Sequence, residues 1–139
     1  MFALSEDDRI FWSEWAFGAI GPGDFNHRAH LRLAYLHLAA FGPEAAVAAF
    51  RESLLAFLAR HGVDDSKYHE TVTRAWLLAV WHFMQKAGAT ASSQDFLAKS
   101  EVLLDSRVML THYSKDLLFS ASARRQFVEP DLEPIPAGI

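Results

Sequence analysis

The chain has 139 residues, of which 51% are hydrophobic and 22% charged, with a formal net charge of -4 and no cysteine. This length predicts one domain, and the apolar content excludes a disordered chain. The net negative charge argues against a nucleic-acid partner. The sequence contains no stretch of about 20 uncharged apolar residues, so it predicts no membrane span. The lack of cysteine excludes disulfides, thiolate metal sites and cysteine nucleophiles. The acidic start, MFALSEDDR, does not resemble a signal peptide and predicts a cytoplasmic protein.

The balance of residue types favours helices over strands. Alanine and leucine supply 39 residues, whereas valine and isoleucine supply only 11. Apolar residues recur every three to four positions, so the sequence predicts an all-α, compact single-domain bundle of five to six helices. The predicted helices cover residues 5–19, 24–41, 43–61, 64–87, 92–104 and 105–123.

Capping residues and prolines set several of these boundaries. Ser5 and Asp8 have the spacing of a capping box at the start of the first helix. Gly42 is typical of a helix end, and Pro43 is typical of the first turn of the next helix. Three prolines in residues 127–139 predict an extended C-terminal tail, and the apolar residues there predict that the tail packs on the bundle.

Seven histidines carry most of the unusual chemistry. His27 and His30 lie three apart at the start of a predicted helix, so both rings leave the same face. Such a pair can bind one metal ion. We predict that His27, His30 and His69 hold a divalent metal ion, with His112 as an alternative third ligand. Zn, Ni, Fe and Cu all suit nitrogen ligands, and an open coordination position would hold a nucleophilic water.

Two further residues are candidates for acid-base catalysis in such an enzyme, namely Glu70 and His112. Glu70 follows His69 at the start of the fourth predicted helix. It could instead orient a histidine ligand, or form only a surface ion pair with Arg74 one turn later. The residues predicted to contact a small-molecule substrate are Tyr68, Thr73 and Arg74. His37 and His82 lie on apolar faces, which is typical of hydrogen-bonded core histidines.

Five segments carry a resemblance to known proteins: F-N-H-R-A-H-L (25–31), K-Y-H-E-T-V-T-R-A-W (67–76), L-T-H-Y-S (110–114), F-S-A-S-A-R (119–124) and F-V-E-P-D-L-E-P-I-P (127–136). Together they resemble an uncharacterised family of small bacterial all-helical proteins. The resemblance implies a bacterial protein whose tail belongs to the fold, and it implies no activity. The bundle is also loosely similar to the DinB-like metal-binding bundles, which place three histidines around one divalent ion. Those proteins carry a His-x-x-x-His pair on a late helix, whereas this chain has His-x-x-His on an early one.

A pocket without metal is a second interpretation of the same residues. The histidines, together with Arg28, Arg32 or Arg74, would bind a small acidic or aromatic ligand. Proton transfer would then use His69 or His112 as the base, with Glu70 orienting the ring.

A non-enzymatic interaction domain is the third interpretation. The tail over residues 127–139, or a face of the first helix that carries Trp12 and Trp15, would form an interface. The partner would be another protein or a second copy of this chain, which would give a homodimer.

Overall fold

The computed structural model describes residues 2–135, which form seven α-helices and no β-strand. The helices are α1 (Glu6–Ala16), α2 (His27–Arg60), α3 (Glu70–Ala87), α4 (Ser93–Lys99), α5 (Met109–His112), α6 (Lys115–Leu118) and α7 (Ala121–Arg125). Short 3-10 turns cover Pro22–Asp24, Asp65–Lys67 and Glu101–Leu104. The predicted all-α fold class is confirmed.

Helix α2 is sharply kinked in its middle. Gly42 has a φ of 80° and a ψ of 168°, far from helical values, and Pro43 follows it without an amide hydrogen to donate. Sixteen residues of a straight helix span about 24 Å. His37 and Ser53 are sixteen residues apart, yet their side chains are hydrogen-bonded at 2.9 Å. The two halves of α2 therefore fold back on each other, at the boundary that the sequence predicts.

A buried carboxylate ties α1 to α2 and α4. Asp8 and Ser5 form the predicted capping box, in which each side chain accepts the backbone N–H of the other residue. Asp8 also accepts the Ser93 backbone N–H at 2.9 Å and Arg32 Nε–H at 3.2 Å. Burial alone would raise the pKa of Asp8, but its bonds with Ser93, Ser5 and Arg32 outweigh burial and lower it. Asp8 therefore stays charged in the interior.

The prediction of one helix over residues 105–123 is wrong. The segment forms three separate short helices, α5 to α7, because Tyr113 adopts an extended conformation and serines begin new helices after it. The side chains of Ser114 and Ser120 each accept a backbone N–H three residues later. Short hydroxyl side chains compete in this way with a continuous helix. The predicted helix over 92–104 is likewise divided, into α4 and a 3-10 turn.

The described part of the tail, residues 127–135, is extended and lies along the bundle. Tyr113 donates its hydroxyl to the Val128 carbonyl oxygen at 2.7 Å. Ser114 donates both its backbone N–H and its hydroxyl to the Asp131 carboxylate, at 2.8 and 2.6 Å. The tail thus packs on the body as predicted, and the remainder of the predicted tail lies outside the described residues.

The core lies between α2 and α3, the two helices that pack most closely. Its largest fully buried side chains include Leu31, Tyr35, Phe50, Val80, Met84, Phe96 and Tyr113. Helix α2 is long and apolar enough to span a membrane by length and composition, but 44% of its most apolar window is buried inside the protein. That burial is typical of a helix at the centre of a bundle.

The face of α1 that carries Trp12 and Trp15 is less open than predicted. Trp15 is 7% exposed and stacks on Phe57 with ring centroids 5.0 Å apart. The large apolar side chains that α1 leaves exposed are instead Ile10 and, just past its end, Phe17. Trp15 is therefore a core residue, and the homodimer stays a prediction.

Candidate ligand pocket around His30

Four of the predicted site residues lie around one pocket, between the two halves of α2 and the start of α3. The pocket has a volume of about 190 Å³ and is called the His30 pocket below. Its polar lining residues are His30, Lys67, Tyr68, His69 and Thr73. Its apolar walls are Phe25, Leu54, Phe57, Leu58 and Val72. A larger groove of about 440 Å³ elsewhere on α2 and α3 is mostly apolar, and of the predicted residues only Arg74 lines it.

His30 is the most unusual group in the pocket. The half-buried ring packs against Phe25 and Phe50, with centroid distances of 6.0 and 5.4 Å. Hydrogen bonds engage the rings of five histidines, whereas within residues 2–135 neither His30 nor His82, which lies outside the pocket, has a hydrogen-bond partner for its ring. Burial, followed by the nearby His27, lowers the pKa of His30 to about 4. Near neutral pH the ring is therefore uncharged and offers one donor and one acceptor to a ligand.

His69 has a structural task at the start of α3. Its Nδ1 accepts the backbone N–H of Val72 at 3.1 Å, so the ring caps the helix. Because Nδ1 accepts, the proton lies on Nε2, which donates to the Leu118 carbonyl oxygen at 2.7 Å. Burial is the main cause of a lowered pKa, which matches this neutral form. Both ring nitrogens are thus hydrogen-bonded within the protein, and neither is free for the predicted metal ion.

Thr71 and Thr73 hold the same end of α3 in place. Thr73 donates its hydroxyl to the His69 carbonyl oxygen at 2.8 Å, so only the oxygen lone pairs of this predicted substrate contact remain available. The Thr71 hydroxyl donates to the Gln126 carbonyl oxygen at 2.9 Å and accepts the Val128 backbone N–H at 3.2 Å. The pocket wall is therefore joined directly to the C-terminal segment.

Glu70 pairs with α2 and not with the next turn of its own helix. Arg51 donates Nε–H to Glu70 Oε1 at 2.9 Å and Nη2–H to Oε2 at 2.5 Å. Tyr68 donates its hydroxyl to Oε1 at 2.7 Å. The predicted ion pair with Arg74 is therefore wrong, because the guanidinium of Arg74 lies over the Phe127 ring, 4.6 Å from its centroid.

The pKa values of this cluster follow from the same contacts. The bonds from Arg51 are the main cause of the lowered pKa of Glu70, which is 7% exposed. Burial, together with the bond to Glu70, raises the pKa of Tyr68 to about 12. A carboxylate held in this way is a weak base near neutral pH. Its evident effect is to fix Tyr68 in the pocket wall, and its catalytic role stays a prediction.

The other predicted metal ligands occupy different surroundings. His27 donates Nε2–H to the Leu103 carbonyl oxygen at 2.8 Å, and its ring centroid lies 6.5 Å from that of His30. His112 Nδ1 forms a 2.8 Å hydrogen bond with the Glu133 carbonyl oxygen, and this bond holds the tail. His112 does not line the His30 pocket. Within residues 2–135 no group of three His, Cys, Asp or Glu side chains could hold a metal ion. The described residues thus give the predicted metal centre no support, and it stays a prediction.

Several residues of the pocket carried no signal in the sequence. The apolar walls resemble ordinary core positions, and Arg51 lies nineteen residues from Glu70 along the chain. The cation at the pocket is Lys67, whose side chain is exposed, and neither Arg28 nor Arg32 lines the pocket. Arg32 instead pairs with Asp7 and Asp8.

Comparisons with protein-family models, with curated proteins and with solved structures find no match to this chain. The suggested resemblances therefore stay expectations. The pocket itself is the evidence on which a function rests.

Proposed function

We propose that the protein binds a small aromatic carboxylic acid in the His30 pocket, without a metal ion. The observation that carries this proposal is a neutral histidine ring, set in an apolar wall, that has no hydrogen-bond partner among the described residues. Small-molecule sites are mostly apolar, with a few polar groups that fix the orientation of the ligand. The His30 pocket has this composition.

Size and charge narrow the ligand class. The volume of about 190 Å³ is below the roughly 300–1,000 Å³ of drug-sized sites, so the ligand has about one ring. Phe25 and Phe57 favour an aromatic ring, since aromatic pairs gain energy beyond their buried area. Lys67 is exposed and supplies the positive charge that a carboxylate needs. The His30 ring would hydrogen-bond a hydroxyl or carbonyl group on the ligand.

A direct test compares benzoate with 4-hydroxybenzoate by isothermal titration calorimetry. We expect 4-hydroxybenzoate to bind about tenfold more tightly, because one net hydrogen bond to His30 is worth up to about 1.5 kcal/mol. His30→Leu should remove this preference, and His82→Leu, which changes a ring outside the pocket, should retain it. Weak or absent binding of both acids by the unaltered protein would refute the proposal.

Lys67 is tested separately by its charge. Lys67→Gln should reduce the affinity for both acids by a few fold, because an exposed ion pair is worth at most about 1 kcal/mol. It should also make the affinity less dependent on added salt. Lys115→Gln changes an exposed lysine outside the pocket and is the matched control. Equal effects of the two substitutions would show that Lys67 does not contact the acid.

Chelator treatment separates this proposal from the metal hypothesis. Binding of the acids should be the same before and after incubation with EDTA. Loss of binding that added Zn restores, together with loss of metal in His27→Ala and His30→Ala, would support a metal ion at those histidines instead.

A further inference from the structure

Another cavity borders a serine–histidine pair inside α2. The kink at Gly42 brings His37, on the first half of the helix, against Ser53 on the second half, with Nε2 and Oγ 2.9 Å apart. His37 Nδ1 lies 2.7 Å from the Leu33 carbonyl oxygen. A carbonyl can only accept, so Nδ1 carries the proton and Nε2 accepts the Ser53 hydroxyl. This is the arrangement of a nucleophile, a base and a group that orients the base.

The surroundings keep the His37 ring neutral and fixed. His37 is 2% exposed, and its ring stacks on Phe50 at a centroid distance of 4.7 Å, with Trp12 at 4.9 Å on another side. Burial lowers the pKa of His37, and the hydrogen bond to the Leu33 carbonyl oxygen offsets part of this lowering. A neutral ring near pH 7 is the form that can take a proton from serine.

The pair is open to a cavity of about 220 Å³, which is distinct from the His30 pocket and shares only Phe57 with it. Ser53 is half-buried and lines this cavity together with Trp12, Trp15 and Arg60. The two indole rings give it apolar walls, and among the described residues Arg60 alone brings a permanent charge to its lining. The site therefore combines a hydroxyl nucleophile, a base, apolar space and one cation.

We propose that Ser53 and His37 hydrolyse esters of small apolar carboxylic acids in this cavity. Ser53 Oγ attacks the ester carbonyl carbon while its proton moves to His37 Nε2, and the developing oxyanion is stabilised by Arg60. Collapse breaks the bond to the alkoxy group, which leaves with the proton from His37. Water then attacks the acyl-serine with His37 as base, which releases the carboxylic acid and restores the Ser53 hydroxyl.

Activity and labelling give the first test. The protein should hydrolyse p-nitrophenyl acetate and take up one phenylmethylsulfonyl group from phenylmethylsulfonyl fluoride, located on Ser53 by peptide mass spectrometry. Ser53→Ala should lose both, whereas Ser13→Ala, an exposed serine of α1, should keep both. Equal hydrolysis by the two variants, or labelling elsewhere, would overturn the proposal.

A cysteine substitution tests the pair independently of turnover. The chain contains no cysteine, so Ser53→Cys and Ser13→Cys each carry a single thiol. If His37 acts as a base on the thiol at position 53, the pKa of that thiol is lowered. Each unit by which this pKa falls gives about tenfold more thiolate at pH 6. Ser53→Cys should then react with iodoacetamide at pH 6 at least tenfold faster than Ser13→Cys, although position 53 is less exposed. A slower reaction would show that His37 does not activate this position.

Discussion

Replacement of His30 by phenylalanine should make the protein less sensitive to acid. The pKa of His30 is about 4 in the folded protein and 6.5 in an exposed chain. Between these pH values the unfolded chain binds a proton that the folded protein does not, so the free energy of unfolding falls as the pH drops from 6.5 to 4. The difference corresponds to about 3 kcal/mol, and the partial exposure of the ring reduces this to roughly 2–3 kcal/mol.

Urea denaturation at pH 7, 6, 5 and 4 measures this effect. From pH 7 to pH 4 the free energy of unfolding of the unaltered protein should fall by roughly 2–3 kcal/mol more than that of His30→Phe. His37 and His69 also have lowered pKa values, but both proteins contain them, so their contributions cancel in the difference. A constant difference between the two proteins at all four pH values would refute the assignment of a low pKa to His30.

Substitutions at three further positions test the structure by chemical denaturation or hydrogen exchange. His69→Ala should lower the free energy of unfolding by about 1 kcal/mol through loss of the helix cap, and His69→Asn should recover part of it. Gly18→Ala should cost about 1–2 kcal/mol, because Gly18 has a φ of 76°, a left-handed conformation that an added Cβ disfavours, whereas the exposed Arg60 side chain near it can move aside. Tyr113→Phe should speed amide hydrogen exchange in residues 127–133, because it removes the hydrogen bond from Tyr113 to the Val128 carbonyl oxygen. Loss of this bond should lower the stability of the docked tail by about 1 kcal/mol.

Local signals in the sequence predicted the fold well. Ser5 and Asp8 form the expected cap, and Gly42 with Pro43 marks the bend of α2, because these residue types act through their own backbone and nearest neighbours. The division of the last predicted helix was missed, although Ser114 was visible as a capping residue. Apolar periodicity continues through that segment and hides the breaks.

The candidate site was predictable only in part. Spacing along a helix singled out His30, and Tyr68 was predicted to contact a substrate; the structure places both in one pocket. The ion pair of Glu70 was assigned to Arg74 by the rule for neighbouring turns, whereas its partner Arg51 comes from another helix. The capping task of His69 was missed as well, since serine, threonine and aspartate are the residues expected there. Contacts between helices depend on packing, which no local pattern contains.

The join between α3 and the C-terminal segment has a consequence for synthesis on the ribosome. His69 and Thr71 depend on Leu118, Gln126 and Val128, which are translated about fifty residues later. The hydrogen-bond partners of Asp8, the last of which is Ser93, have all been translated before those of His69 and Thr71. The start of α3 gains these hydrogen-bond partners only after residue 128 has been translated. The His30 pocket, whose wall includes the start of α3, therefore cannot reach its final shape before this C-terminal segment has been made.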